Sequence, residues 1–219
     1  TAFGTAIHNV CEKKLLKEQI NDEEFFVSNF SDSIAALDSD VVVDRRLVDK
    51  MVGQGKAILP EIEDALTAYF GSDYEVMSTE EKLMVPIEEA QYNFKGFIDA
   101  VIKTSDGKYH IVDWKSCSWG WDMKKRTDPM ITYQLTLYKK YYAIKHNINP
   151  DIIETHFALL KRTSKKGRVE IFRVSSGNRK TNNASNLLMK AIKNISNGKY
   201  VKNKLSCNRC EFYKTEHCP

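Results

Sequence analysis

The apolar residues of this chain change their period several times, and each change marks an element. In residues 4–20, Ile7, Val10, Cys11 and Leu15 recur at helical spacing, with Gly4 and Thr5 as start signals, which puts His8 on a helix. Residues 21–44 follow neither period and receive no assignment. A second helical region spans about 44–70, where Leu47, Met51, Ile58, Ile62, Leu66 and Tyr69 share one face. Pro60 bends or divides it, and Gly71 closes it. The period then falls to two in YEVMS, EKLMVPIEE, YNFKGFIDAVIKT and, after the turn Ser105-Asp106-Gly107, KYHIVDWKS, which read as antiparallel hairpins. Asp128 as cap and Pro129 in the first turn start a helix that runs through Gln134 and Tyr138 to about Asn147. Two more strands, THFALLKR and RVEIFRVS, are joined by a polar turn at 164–167 and precede a polar helix at about 181–196.

At 219 residues the chain suits one domain with room for a small appendage, and 42% apolar residues supply a real core. No apolar run reaches membrane-spanning length, and the N-terminal residues lack the pattern of a secretory signal, so the expectation is a soluble cytoplasmic protein without membrane partners. The five cysteines are odd in number, and three of them (Cys207, Cys210, Cys218) fall in the last 13 residues, which suits metal ligation in a reducing compartment better than disulfides. Charge is segregated: residues 1–100 carry 9 basic and 20 acidic side chains, whereas 161–204 carry 13 basic residues and the single acid Glu170. A field of one sign over that length attracts a polyanion such as nucleic acid.

Asp113-Trp114-Lys115 ends an apolar strand, and residues two apart on a strand face the same way, so the carboxylate and the ammonium stand together. Asp-x-Lys occurs three times, at Asp106, Asp113 and Asp122, but only Asp113 follows a run able to form a buried strand. The preceding strand supplies Asp99 within an apolar run, where an uncompensated carboxylate is costly to bury. Two carboxylates and a lysine make an oxygen site for Mg²⁺ with a cation beside it; the same residues also admit a purely structural ion pair.

The ordered set Gly4-Thr5-Ala6-Ile7-His8, Gly96 to Asp99, Asp113-Trp114-Lys115 and Gln134-Leu135-Thr136-Leu137-Tyr138 resembles the motifs of RecB-type nucleases of the PD-(D/E)XK superfamily, including the CRISPR-associated and AddB-type exonucleases. The resemblance implies an α/β fold: a restriction-endonuclease-like core with a central mixed sheet flanked by helices over residues 1–204, a helical insertion at 21–70, and a cysteine-bearing tail at 205–219. It implies metal-dependent hydrolysis of DNA phosphodiesters. His8, Asp99, Asp113 and the Trp114 carbonyl would hold the ion, Lys115 would position or activate the attacking water, and Gln134 and Tyr138 would lie near the scissile strand. Cys207, Cys210 and Cys218 resemble the C-terminal triplet of relatives that carry a 4Fe-4S cluster. In those relatives a fourth cysteine lies upstream of the histidine motif, and Cys11 is the only early candidate here.

Hard oxygen ligands favour Mg²⁺ or Mn²⁺, and the imidazole of His8 either tilts the choice toward Mn²⁺ or binds a second, looser ion. Gln134 and Tyr138, four residues apart, share a helix face. The aromatics around Tyr138 (Tyr133, Tyr141, Tyr142) suit either a core or stacking on single-stranded bases, and Trp119 and Trp121 either a core or a lip over a cleft. Glu88 and Glu89 read as surface acids, Cys117 as a packed thiol. A rival tail scheme places Zn²⁺ on Cys207, Cys210, His217 and Cys218; a third leaves the tail without metal. The expected activity is a Mg²⁺- or Mn²⁺-dependent exonuclease acting on single- or double-stranded DNA ends in recombination, repair or replication. Alternatives are a single-strand or structure-selective endonuclease, including CRISPR-adaptation trimming, and an inert DNA-binding subunit. Gly53-Gln54-Gly55-Lys56-Ala57 is not an ATP-binding loop, so unwinding would need a helicase or recombination partner.

Overall fold

A computed structural model describes residues 2–38, 40–88, 90–199, 207–208, 210–216 and 218. Among the described residues, seven α-helices, α1 (Ala2–Leu15), α2 (Asp22–Ala35), α3 (Arg45–Ile58), α4 (Glu61–Phe70), α5 (Met123–Thr127), α6 (Pro129–His146) and α7 (Asn178–Ser196), accompany five strands, β1 (Glu75–Pro86), β2 (Asn93–Lys103), β3 (Tyr109–Cys117), β4 (Ile153–Lys161) and β5 (Val169–Val174). The chain divides into two units, Thr1–Ala184 and Ser185–Pro219.

The sheet order is β1-β2-β3-β4-β5, antiparallel except for the parallel pair β3–β4. A parallel pair requires a crossover, and α5 and α6 provide it. Asp128 accepts the Met130 N–H to start α6, and Asn147 ends it in the left-handed conformation, close to the boundaries its sequence predicts. The sheet is therefore mixed and flanked by helices, as the resemblance implied.

One face of the sheet presents Ala100, Ile102, Val112, Trp114, Ala158 and Leu160 to a core filled from α1, α2, α3 and α4 by Ile7, Val10, Phe26, Phe30, Ile58, Ile62 and Leu66. The opposite face takes α6, whose Tyr142 ring approaches Tyr109 at 6.4 Å. The unassigned segment 21–44 contains α2. Its cap is Asn21, which accepts the Glu24 N–H, and Phe26 and Phe30 stack with each other 5.9 Å apart, one helical turn between them. Ser28, Asn29, Ser31, Asp32 and Ser33 dilute the apolar signal to those few aromatic positions. The predicted helical region at 44–70 is divided at Pro60, into α3 and α4 with Leu59-Pro60 between them, while Leu47 and Tyr69 are half-exposed rather than part of the buried face. The first helix ends at Leu15 instead of about residue 20, because Lys17 takes a left-handed φ of 54°. YEVMS and EKLMVPIEE are one strand, whose register against β2 shifts between Val76 and Ser78 and in which Glu80 takes a left-handed φ of 46°.

Gly55 fixes how closely α3 meets α2: a Cβ there would fall 2.2 Å from carbons of the buried Phe26 ring. Gly55→Ala should cost about 1–3 kcal/mol by overpacking and lower the melting temperature by roughly 2–12 °C. Thermal unfolding followed by circular dichroism checks this, and an unchanged midpoint would refute the close contact.

Candidate active site

The sheet's hydrogen-bond ladder between β2 and β3 runs from Lys103↔Tyr109 to Ala100↔Val112 and stops there. At the next position the Trp114 N–H donates to the Asp99 carboxylate, at 2.7 Å, in place of a backbone carbonyl. A side chain thus substitutes for a strand partner, and beyond this point the two strands no longer pair. Asp113 lies on β3 beside that opening, 2% exposed. Lys115, two residues on, stands 2.7 Å from Asp113 Oδ2 and donates to Gln134 Oε1 at 3.2 Å. Gln134 in turn donates to the Tyr138 hydroxyl at 3.0 Å. From the other side α1 brings His8, whose Nδ1 is 3.9 Å from Asp99 Oδ2.

Two glycines permit this assembly. A Cβ at Gly4 would meet the Ser116 hydroxyl at 3.2 Å, so the bare backbone lets α1 lie close on β3, one helical turn before His8. A Cβ at Gly96 would meet the Tyr138 ring at 2.7 Å, so β2 and α6 approach only because that position is glycine.

The electrostatics are strained in one direction. Burial, and then the charge of Asp113, raises the Asp99 pKa to about 7. Burial likewise raises Asp113, against the opposing pull of Lys115. His8 falls to about 4 through burial and the nearby Lys115 charge, so it is a neutral imidazole at pH 7 and its contact with Asp99 is not an ion pair. His8 Nε2 is buried without a hydrogen-bond partner, and the buried Asp113 Oδ2 meets the Lys115 ammonium at 2.7 Å. Two carboxylates pushed toward protonation and the unpartnered imidazole nitrogen of His8 are a donor set that a divalent cation satisfies, so these residues fit one. The ligand atoms of His8, Asp99 and Asp113 do not all lie within 4.8 Å of one another, whereas those of His110, Glu154 and His156, a group the sequence did not single out, do.

Sequence reasoning also missed Glu80. It sits opposite Asp99 in the β1–β2 ladder, between the pairs Thr79↔Ala100 and Glu81↔Ile98, and its charge adds to the upward pressure on Asp99. Only its left-handed backbone marks it out, and no sequence signal announces that. Glu88 is exposed, as expected, and Glu89 lies outside the described residues. Trp121 is core, packed edge-on to Phe157 at 5.1 Å, while Trp119 is 70% exposed. Tyr141 stacks on Phe94 at 4.1 Å and is buried, so the choice between core and base stacking falls to the core for Tyr141 and Tyr142. Cys11 is buried in the core, and burial pushes its thiol pKa up. Burial raises the Cys117 thiol as well.

The basic segment is partly spent internally. Lys161 pairs with Glu170, Arg168 with Glu61 and Arg173 with Glu154. Arg179 and Lys180, at the start of α7, instead line a cleft with Thr127, Pro129, Tyr133 and Ser175. Residues 200–204 lie outside the described residues. In the tail the Cys210 N–H donates to the Cys207 carbonyl and the Lys214 N–H to that of Cys218, but among the described residues the three thiols form no group within 4.8 Å. His217, needed for the zinc scheme, is outside the described residues. Among the described residues no helix is long and apolar enough to cross a membrane.

Comparison with known proteins gives the arrangement a lineage. The profile of the PD-(D/E)XK nuclease superfamily matches residues 1–215. No curated protein matches the chain. Among solved structures, the chain is similar to a protein named "Putative exonuclease" from Eubacterium rectale, at 13% identity over 99% of this chain and 76% of that one, with a TM-score of 0.56. It also aligns with SSO0001, at 14% identity over 86% of this chain and 92% of that one, with a TM-score of 0.42. The profile spans the four motifs and the sheet that carries them, and the chain belongs to the PD-(D/E)XK nuclease superfamily.

Proposed function

We propose that this nuclease is a divalent-metal-dependent exonuclease that hydrolyses DNA phosphodiesters from strand ends. The observation that carries the reading is the pair of buried carboxylates, Asp99 and Asp113, raised in pKa where β2 and β3 part, with the Lys115 ammonium 2.7 Å from one of them. Asp99, Asp113, His8 and the Trp114 carbonyl would hold Mg²⁺ or Mn²⁺, which when bound neutralises phosphate charge and lowers the pKa of the attacking water. The chain's own residues do the rest. Lys115 stands at the mouth of the carboxylate pair, 31% of its side chain exposed, where it can hold a phosphate oxygen or orient a water. Gln134 fixes the ammonium through its carbonyl oxygen, and Tyr138 fixes the Gln134 amide, so the α6 pair sets the direction of the lysine rather than reacting itself. His8 is neutral at pH 7 and keeps a lone pair for the ion. Arg179 and Lys180 would grip the DNA backbone. The name of the Eubacterium rectale structure agrees with attack at ends, as does the motif resemblance. A 4Fe-4S cluster on Cys207, Cys210 and Cys218 belongs to the same reading; Zn²⁺ is the second choice there. A helicase or recombination partner would supply unwinding.

Digestion of end-labelled linear and covalently closed circular DNA, single- and double-stranded, should show loss of linear DNA only, in Mg²⁺ or Mn²⁺ but not in EDTA. Cutting of circles would make the enzyme an endonuclease. Lys115→Ala should slow cleavage by about 10²- to 10⁴-fold with DNA binding retained; full activity would remove Lys115 from the mechanism.

A pH prediction follows from Asp99, whose pKa rises from 3.8 to about 7 on folding. The folded state holds the proton more tightly, so this group's stabilisation is complete below pH 3.8 and is lost as pH rises through about 7. In EDTA the melting temperature of the wild type relative to that of Asp99→Asn should fall across that window, and Mg²⁺ should abolish the decline. A flat difference would contradict it.

Arg179→Ala and Lys180→Ala should each weaken binding to DNA of any sequence and reduce the slope of log affinity against log salt by about 1. Fluorescence anisotropy at several salt concentrations checks this; an unchanged slope would free both residues from the backbone role.

A further inference from the structure

We propose that His110, Glu154 and His156 form a second metal site, for Zn²⁺ or a similar first-row cation, on the sheet face opposite Asp113 and Lys115. The parallel register of β3 and β4 sets His110 beside Glu154 and Val112 beside His156, so all three side chains emerge on one face. His110 Nδ1 and His156 Nε2 are 3.0 Å apart, Glu154 Oε2 is 4.0 Å from His110 Nδ1, and the three atoms all lie within 4.8 Å of one another. Nitrogens on a tetrahedral zinc, each about 2.0–2.1 Å from it, stand roughly 3.3 Å apart. The two imidazoles are already at that spacing.

The surrounding hydrogen bonds aim the lone pairs. The Thr104 hydroxyl donates to Asp106 at 2.5 Å, so at 2.9 Å its oxygen accepts from His110 Nε2–H, which leaves the lone pair of Nδ1 facing Glu154 and His156. On the far side of His156, the Tyr69 hydroxyl lies 3.2 Å from Nδ1 and can accept its proton. As the pair stands, His156 Nε2–H donates to His110 Nδ1; metal binding moves that proton to His156 Nδ1, toward Tyr69, and releases none. Each ligating imidazole then has an oxygen partner on its other nitrogen, the usual support of such a site. Burial keeps both rings neutral, lowering His110 and taking His156 to about 3.

The walls and the charges fit. Phe70 of α4 lies 5.1 Å from the His110 ring and 5.5 Å from that of His156, and His156 is 1% exposed. Lys108, at 3.7 Å, and Arg173, at 3.4 Å, both engage Glu154 Oε1, which anchors the carboxylate and leaves Oε2 toward His110. Two imidazoles and one carboxylate suit zinc, unlike the oxygen-dominated set at Asp99 and Asp113.

The test titrates the full chain with Co²⁺ as a spectroscopic stand-in, then displaces it with Zn²⁺. The expected result is a tetrahedral d–d absorption band without sulfur-to-metal charge transfer, kept in Asp113→Asn and Cys210→Ser and lost in Glu154→Gln. Thr104→Val, which removes only the supporting hydroxyl, should weaken Zn²⁺ binding by about 10- to 100-fold, and it carries the test if Glu154→Gln fails to fold. The proposal is overturned if the wild type shows no such band, if the band survives Glu154→Gln or if Thr104→Val binds Zn²⁺ unchanged, or if Asp113→Asn or Cys210→Ser abolishes it.

Discussion

Two carboxylates buried side by side repel each other and lose hydration, and the arrangement around β2 and β3 is organised by that cost. The Trp114 N–H freed where the ladder ends and the Lys115 ammonium each offset part of it, whereas the Glu80 charge adds to it. Neither offsets it completely, since both groups remain shifted toward protonation. A site tuned in this way resists ionisation alone and accepts it when a divalent charge arrives. The same residues that would be a poor choice for stability are a good one for holding a cation.

The supports of that site are negative spaces as much as bonds. Gly4 and Gly96 contribute no side chain, and the space they leave is taken by Ser116 and Tyr138. Through these two contacts α1 and α6, which pack on different faces of the sheet, both reach the end of the β2–β3 ladder. The interior under α1–α4, with Trp114 at its centre, holds β3 from below, so the strand that carries Asp113 and Lys115 has little freedom to yield. This is the rigidity that positioned chemistry needs.

Much of this was legible in the sequence because the signals were local or ordered. Period-two runs gave β2 and β3 close to their ends, Asp128-Pro129 gave the start of α6, and four short motifs in order gave the family. What stayed hidden was set by long-range geometry. The helix α2 escaped because its apolar content is concentrated in a few positions whose partners, Phe3 and Gly55, are distant in the chain. The count of 13 basic residues against one acid was correct yet incomplete as a guide to free charge, because Glu61 and Glu154 come from outside the segment to pair with Arg168 and Arg173. Glu80 and the His110–Glu154–His156 group depend on strand register, which a single sequence does not reveal.

The left-handed backbone at Glu80 has a consequence away from the cleft. β1 is an edge strand of the sheet, twelve residues long, and a straight edge of that length is a template on which another chain can add a strand. The left-handed residue in its middle, the charged run Glu80-Glu81-Lys82 and the proline at its end break that template into pieces too short and too polar to recruit one. The acid that leans on Asp99 therefore also guards the sheet against aggregation through its longest exposed border.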